Sequence, residues 1–258
     1  MAGCATTRFD YPKETSTAIS AAEESSLRTQ VQAWTSANPG PSGFYPLIKG
    51  SEGFGARLRL IELAEKTIDA QYFLMKPDTA GLVFAGSLLE AADRGVRVRF
   101  LLDDIFTTVN DKQLELLDTH PNIEVRLFNP VSRLGVRTLN FLTDFRRANR
   151  RMHNKSFTVD NQMTIVGGRN IADEYFELKP DGEFVDFDVI GIGPVAAKVS
   201  TTFDRFWNHE RSVPMRALSS KFTEEDLQKA RDEINEEMVN LGSPFTATRS
   251  RPGSSQTS

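Results

Sequence analysis

The residues with the clearest capacity for chemistry lie in one stretch, Met152–Asn170, which reads MHNKSFTVDNQMTIVGGRN. His153 and Lys155 are separated by one residue, Asp160 follows after four more, and Gly167-Gly168 after a further six. Five specified residues at fixed spacing arise by chance in a chain of 258 residues about once in ten thousand sequences of average composition. Lys155–Val159 and Met163–Val166 read as short strands joined by Asn161-Gln162, which predicts a hairpin with a two-residue turn. In that register Asp160 faces Met163, Lys155 faces Gly168 and His153 faces Asn170. Strand parity puts His153 and Lys155 on one face and Asp160 on the other. An imidazole, an ammonium and a carboxamide then converge beside a glycine that leaves room for a ligand. A nucleophile, a cation and a hydrogen-bond donor around one point suit a phosphoryl centre.

The elements around this stretch alternate. Leu58–Lys66 has a helical apolar face and Thr67–Met75 reads as a buried strand. Leu82–Arg94 is an amphipathic helix closed by Gly95, Val96–Leu102 a strand ending in Asp103-Asp104, and Ile123–Phe128 another strand after a short helix around Leu114–Leu117. Val185–Ile192 is a strand, Val195–His209 a helix whose Phe203, Phe206 and Trp207 read as core, and Glu224–Val239 a further helix. This alternation predicts an α/β layered domain with helices packed on a sheet. Residues 1–45 read as an irregular, flexible lead-in, 46–241 as the domain, and 242–258 as a flexible tail rich in Gly, Ser, Pro and Thr.

Composition narrows the classes. The net charge of −4 argues against a general polyanion-coating protein, and no apolar run is long enough to span a membrane. One cysteine, Cys4, excludes an intrachain disulfide and a cysteine-rich metal site, and three histidines make a multi-histidine metal centre improbable. His120, before Pro121, reads as a surface loop residue, and His209 as a helix-end residue favourable to the dipole. Asp103 and Asp104 either line the cleft or cap the next turn. Met1-Ala2-Gly3-Cys4 resembles the end of a lipoprotein signal without its charged and apolar regions, which leaves Cys4 as a lipidation candidate.

Charge is distributed unevenly. Between Arg133 and Lys155 stand seven basic residues and one acid, whereas Asp173–Asp188 holds seven acids and one lysine. Arg146, Arg147, Arg150 and Arg151 either steer anionic headgroups toward the site or form a solvated face paired with the acidic run. Leu139, Phe141, Leu142 and Phe145 precede them and favour lipid.

The HxKxxxxDx6GG pattern resembles the signature of the phospholipase D superfamily. The flanking text at Ala91–Asp104, Glu124–Pro130, Asn149–Lys155 and Phe187–Pro194 is similar to that of bacterial cardiolipin synthases and their phospholipase D-like relatives, over roughly residues 40–210. The resemblance implies a layered α/β/α domain with a mixed central sheet and a phosphatidyltransferase or phosphodiesterase acting on anionic glycerophospholipid, with a nucleic-acid phosphodiesterase or an inactive half as alternatives. It implies His153 as the nucleophile that becomes phosphohistidine, Lys155 and Asn170 as phosphate ligands, Gly168 at the small-residue position, Asp160 in support, and no metal or other cofactor. The acid that orients the histidine falls at Asp186, with Asp181 the weaker candidate. The lipid-handling members carry two such signatures, and this sequence has one. The missing general acid would then come from a second copy or a separate second half, at the membrane surface of a bacterial envelope.

Overall fold

The computed structural model describes residues 9–104, 111–130, 151–179, 184–218 and 223–240. Its centre is an eight-stranded mixed sheet in the order β1-β7-β6-β5-β2-β3-β4-β8. The strands are β1 (Gly43–Leu47), β2 (Thr67–Tyr72), β3 (Arg97–Asp103), β4 (Ile123–Phe128), β5 (Ser156–Val159), β6 (Met163–Gly167), β7 (Asp188–Ile192) and β8 (Ser212–Pro214). β2, β3 and β4 run parallel, as their helical crossovers require, and the remaining neighbours are antiparallel. The α-helices among the described residues are α1 (Ser26–Ala37), α2 (Gly50–Leu63), α3 (Thr79–Asp93), α4 (Asp111–Asp118), α5 (Pro194–Trp207) and α6 (Glu224–Asn240). α2, α3, α4 and α6 pack together, while α5 lies against β2, β5, β6 and β7. The predicted α/β/α layering with a mixed sheet is the observed one.

Local chemistry sets the boundaries. Asp78 caps α3 by accepting from Gly81 N at 3.1 Å, so the helix begins before the expected Leu82. It ends at Gly95, whose φ of 94° and N–H to Ala92 O at 2.9 Å form the terminal cap. Ile68, Ala70, Val98, Phe100, Val125, Phe157, Val159 and Ile165 are all buried in the main core, with Phe84 at its centre packed edge-on to Phe100 and Phe157.

The alternating arginines of β3 and β4 are not solvated. Arg99 and Arg126 are 1% and 0% exposed. Arg99 forms a two-point pair with Asp69 at 2.7 Å per contact, reaches Asp204 at 2.8 Å, and stacks on Phe203. Arg126 lies over the Trp207 ring at 4.2 Å and donates to Trp207 O. These guanidiniums also recruit the amino-terminal segment, because Ser16 O and Glu14 O accept from Arg99 and Arg126. Lys13 donates to His209 O and Ser212 O, and Asp204 accepts from Ala18 N.

The lead-in expectation therefore changes. From Phe9 onward the segment is laid against the domain, α1 is capped by Ser25, and β1 joins the sheet on β7. Composition could not reveal this, since much of the segment is held through its backbone carbonyls and amides. His120 is a second correction: it is buried, not surface, with Asn122 N donating to Nδ1 at 3.1 Å and Nε2 3.3 Å from Asp93. Phe203 and Trp207 are core residues as read. Cys4 and the tail lie outside the described residues.

Candidate active site

Two contacts deliver the signature to the cleft. Asp103, buried at the end of β3, accepts from Met152 N at 2.9 Å and from Arg151 Nη1 at 3.1 Å. Arg151 also donates to Asn129 O at 3.0 Å, so it anchors the chain entering β5. This corrects its reading as a steering cation: its guanidinium is engaged inward, where an ion pair of low exposure is retained. Asp103 is accordingly an anchor and does not line the cleft. Arg146, Arg147 and Arg150 lie outside the described residues, as does Asp181.

The hairpin differs from its expected register by one residue. Val159 pairs with Met163 and Ser156 with Val166, which leaves a three-residue turn, Asp160–Gln162. Asp160 and Asn161 both take left-handed φ values, 51° and 52°, which Asp and Asn tolerate best after glycine. The reason for the longer turn is the Asp160 side chain. Its carboxylate accepts from Glu65 N at 3.1 Å and from Lys66 N and Thr67 N at 2.8 Å, tying the turn to the end of α2 and the start of β2. Asp160 thus sits at the far end of β5 from His153 and holds the fold, not the reacting group. Neither His153–Asn170 nor Lys155–Gly168 is a facing pair.

His153 and Lys155 meet through their side chains instead. Lys155 Nζ lies 3.1 Å from His153 Nδ1 and donates to His153 O at 2.8 Å. Phe73 backs both, with its ring centroid 4.5 Å from the imidazole and 5.1 Å from the ammonium. Lys155 is 7% exposed, whereas His153 is exposed. Burial lowers the Lys155 pKa to about 8, with Asp186 opposing the shift. Burial and then the neighbouring ammonium lower that of His153, again opposed by Asp186. The imidazole is therefore kept neutral, with a lone pair, beside a cation still largely charged at pH 7.

Asp186 completes the group from the chain preceding β7. Its carboxylate accepts from Phe187 N at 2.7 Å and lies over Gly168, where any Cβ would collide with it. Gly168 thus makes room for the acid and not for the hairpin partner, and a Cβ there would displace the Asp186 carboxylate. Behind it, Asp188 is buried between Arg57 at 3.0 Å and Arg169 at 3.4 Å, and Gly167 is the residue whose missing side chain admits it. Asn170 is 2% exposed, accepts from Leu74 N at 3.2 Å and donates to Tyr175 OH at 3.0 Å, which leaves one amide proton uncommitted.

His153 and Lys155 open into a cleft of about 400 Å³. Gln71, Ser156 and Gly167 line its sheet side and Lys198 and Thr202 of α5 line the other. Neither Asn170 nor Asp160 lines it. Sequence reading passed over Phe73, hidden in an apolar run, and Lys198. The latter carries a signal: with Thr202 it lies four residues along α5, apart from the buried Ser200, Phe203 and Trp207. No cluster of His, Cys, Asp or Glu suited to a metal ion occurs among the described residues.

A sequence model described as "Cardiolipin synthase, PLD-like domain" matches residues 58–207. Cardiolipin synthase C of Escherichia coli (strain K12) is 50% identical over 192 residues, 74% of this chain and 41% of that protein. Cardiolipin synthase A of Pseudomonas syringae pv. syringae (strain B728a) is 34% identical over 185 residues, 70% of this chain and 36% of that protein. The phosphatidylserine synthase structure of Haemophilus influenzae Rd KW20 shares the fold, with a TM-score of 0.50 at 14% identity over 76% of this chain and 44% of that one. The chain spans about two fifths of the length of the cardiolipin synthases it matches. With more than half of its residues inside the match, signature and sheet included, the chain belongs to the phospholipase D-like domain family of the cardiolipin synthases.

Proposed function

We propose that this chain is one catalytic half of a phosphatidyltransferase that acts on anionic glycerophospholipid at a membrane surface. The observation that carries the reading is the neutral His153 imidazole held 3.1 Å from the Lys155 ammonium, with Asp186 close to both. An imidazole nitrogen attacks the phosphorus of the phosphatidyl group, the P–O bond to the headgroup alcohol breaks, and that oxygen takes a proton from a general acid. The acceptor hydroxyl then gives its proton to the same group and attacks phosphorus, and the P–N bond breaks. Lys155 pairs with the non-bridging oxygens as charge develops, and the spare Asn170 proton serves the same oxygens after a small side-chain shift. Asp186 stabilises the positive charge that the ring acquires on phosphorylation.

His120 is buried against Asp93, and His209 is turned to Arg211 N and Phe128, so neither supplies the acid on the other side of phosphorus. A second copy of His153, or an equivalent histidine from a separate half, is the partner this chemistry needs. In this reading Arg146, Arg147 and Arg150 serve headgroup steering at the membrane surface. No helix among the described residues is long and apolar enough to cross a membrane.

The test uses phosphatidylglycerol vesicles, with bridged diphospholipid and free glycerol measured across a protein dilution series in parallel with light scattering. Activity should fall as pairs dissociate, or appear when the missing half is added. Full turnover by a proven monomer would refute the pairing. Cleavage of nucleic-acid phosphodiesters with phospholipid untouched would replace the lipid reading.

A further inference from the structure

We propose that Lys198 forms a second anion subsite in the catalytic cleft, holding the phosphate of the acceptor phospholipid while Lys155 attends the phosphate in transfer. The proposal rests on the phosphatidyl-transfer reading and names its second substrate as an anionic phospholipid that bears a free hydroxyl.

Two ammonium groups line this cleft from opposite walls, and they differ in every other respect. Lys155 is buried and engaged with the nucleophile, donating to His153 O and standing beside the imidazole. It cannot leave that position to hold a second anion without abandoning the first. Lys198 is exposed on α5, and its ammonium has no carboxylate or hydrogen-bond partner among the described residues. A solvated lysine on a convex surface would need no explanation; one that lines the cleft of the proposed nucleophile does.

The chemistry of transfer asks for such a group. Water or glycerol brings no charge to the phosphohistidine. An acceptor such as phosphatidylglycerol brings its own phosphodiester, separated from the attacking hydroxyl by only a three-carbon bridge. Two phosphates must therefore share one cleft, and with Lys155 alone the second would enter against the charge of the first. The cleft, at about 400 Å³, lies within the usual range of about 300–1,000 Å³ for small-ligand sites. Thr202, one turn beyond Lys198, divides the labour. Its hydroxyl proton is spent on Lys198 O at 3.1 Å, so its oxygen acts as an acceptor and suits a glycerol hydroxyl, not a phosphate.

The experiment measures how the phosphoenzyme partitions between phosphatidylglycerol and water, using the paired or reconstituted protein. Lys198→Gln should lower the transfer-to-hydrolysis ratio about tenfold, the low end for loss of a charge-assisted contact at an exposed site. Lys198→Arg should restore most of it. An unchanged ratio, or equal loss for phosphatidylglycerol and for glycerol as acceptors, would overturn the proposal. If no phospholipid is turned over at all, the catalytic reading fails separately. The subsite is then read by equilibrium titration with glycerol 1-phosphate, where the wild type should bind two anions per chain and Lys198→Gln one. A single anion on the wild type would overturn it.

Discussion

Replacing Lys155 by methionine should stabilise the protein while abolishing its chemistry. The side chain is 7% exposed, and burial brings its pKa from 10.5 to about 8. At about 1.4 kcal/mol per unit, holding the ammonium in this site costs the folded state on the order of 3–4 kcal/mol wherever both states are protonated. Between pH 8 and 10.5 the unfolded chain binds more protons at this residue than the folded one, so the penalty shrinks as pH rises through that window. Methionine has similar length and no charge, so Lys155→Met removes the penalty at pH 7 and has little of it left to remove at pH 10. Urea unfolding of both proteins at the two pH values measures the difference while cancelling the titration of every other group. The variant should be more stable by about 3–4 kcal/mol at pH 7, and the gap should narrow by most of that at pH 10. A gap that is the same at both values, or a destabilised variant at pH 7, would show that the ammonium is not desolvated and that the account of the site's electrostatics is wrong.

Activity should follow a bell-shaped pH profile, with an acid limb below pH 6.5 as His153 protonates and an alkaline limb near pH 8 as Lys155 loses its charge. If Lys155→Arg retains turnover, the alkaline limb should move out of range; a limb that stays near 8 would assign it to another group. Gly168→Ala should push Asp186 off its position and reduce kcat about a hundredfold, with the acid limb moving lower because the carboxylate's support of the imidazolium is lost. A normal kcat would refute that placement. Asp160→Ala should lower stability by about 2–4 kcal/mol, since three backbone N–H groups lose their acceptor, as read from the urea midpoint. A stable but inactive variant would instead return Asp160 to the reacting group.

The layered fold was legible because its strands are apolar runs and its helices have marked ends, such as Gly95 behind α3. The spacing of His153, Lys155 and Gly168 was legible too, but the reason for it was not. The one-residue change in register comes from a carboxylate that reaches across about ninety residues of sequence to the backbone of Glu65–Thr67, and local turn preferences carry no trace of that contact. One arginine misled. Arg151 sits in a basic run, as a solvated residue would, yet it is paired with Asp103, an acid distant in sequence. Asp186 came only from the resemblance, and no spacing rule pointed to its carboxylate lying over the bare Cα of Gly168.

The central claim is that His153 takes the phosphoryl group covalently. A phosphodiester with a p-nitrophenolate leaving group tests it most directly, because so good a leaving group needs no proton and the missing second histidine ceases to matter. After rapid quenching in base, mass spectrometry of the peptide containing Met152–Ser156 should show one phosphoryl adduct on His153 that is lost on acid treatment and absent from His153→Ala. Release of p-nitrophenolate by the wild type with His153 unmodified, or with the adduct on another residue, would contradict the account.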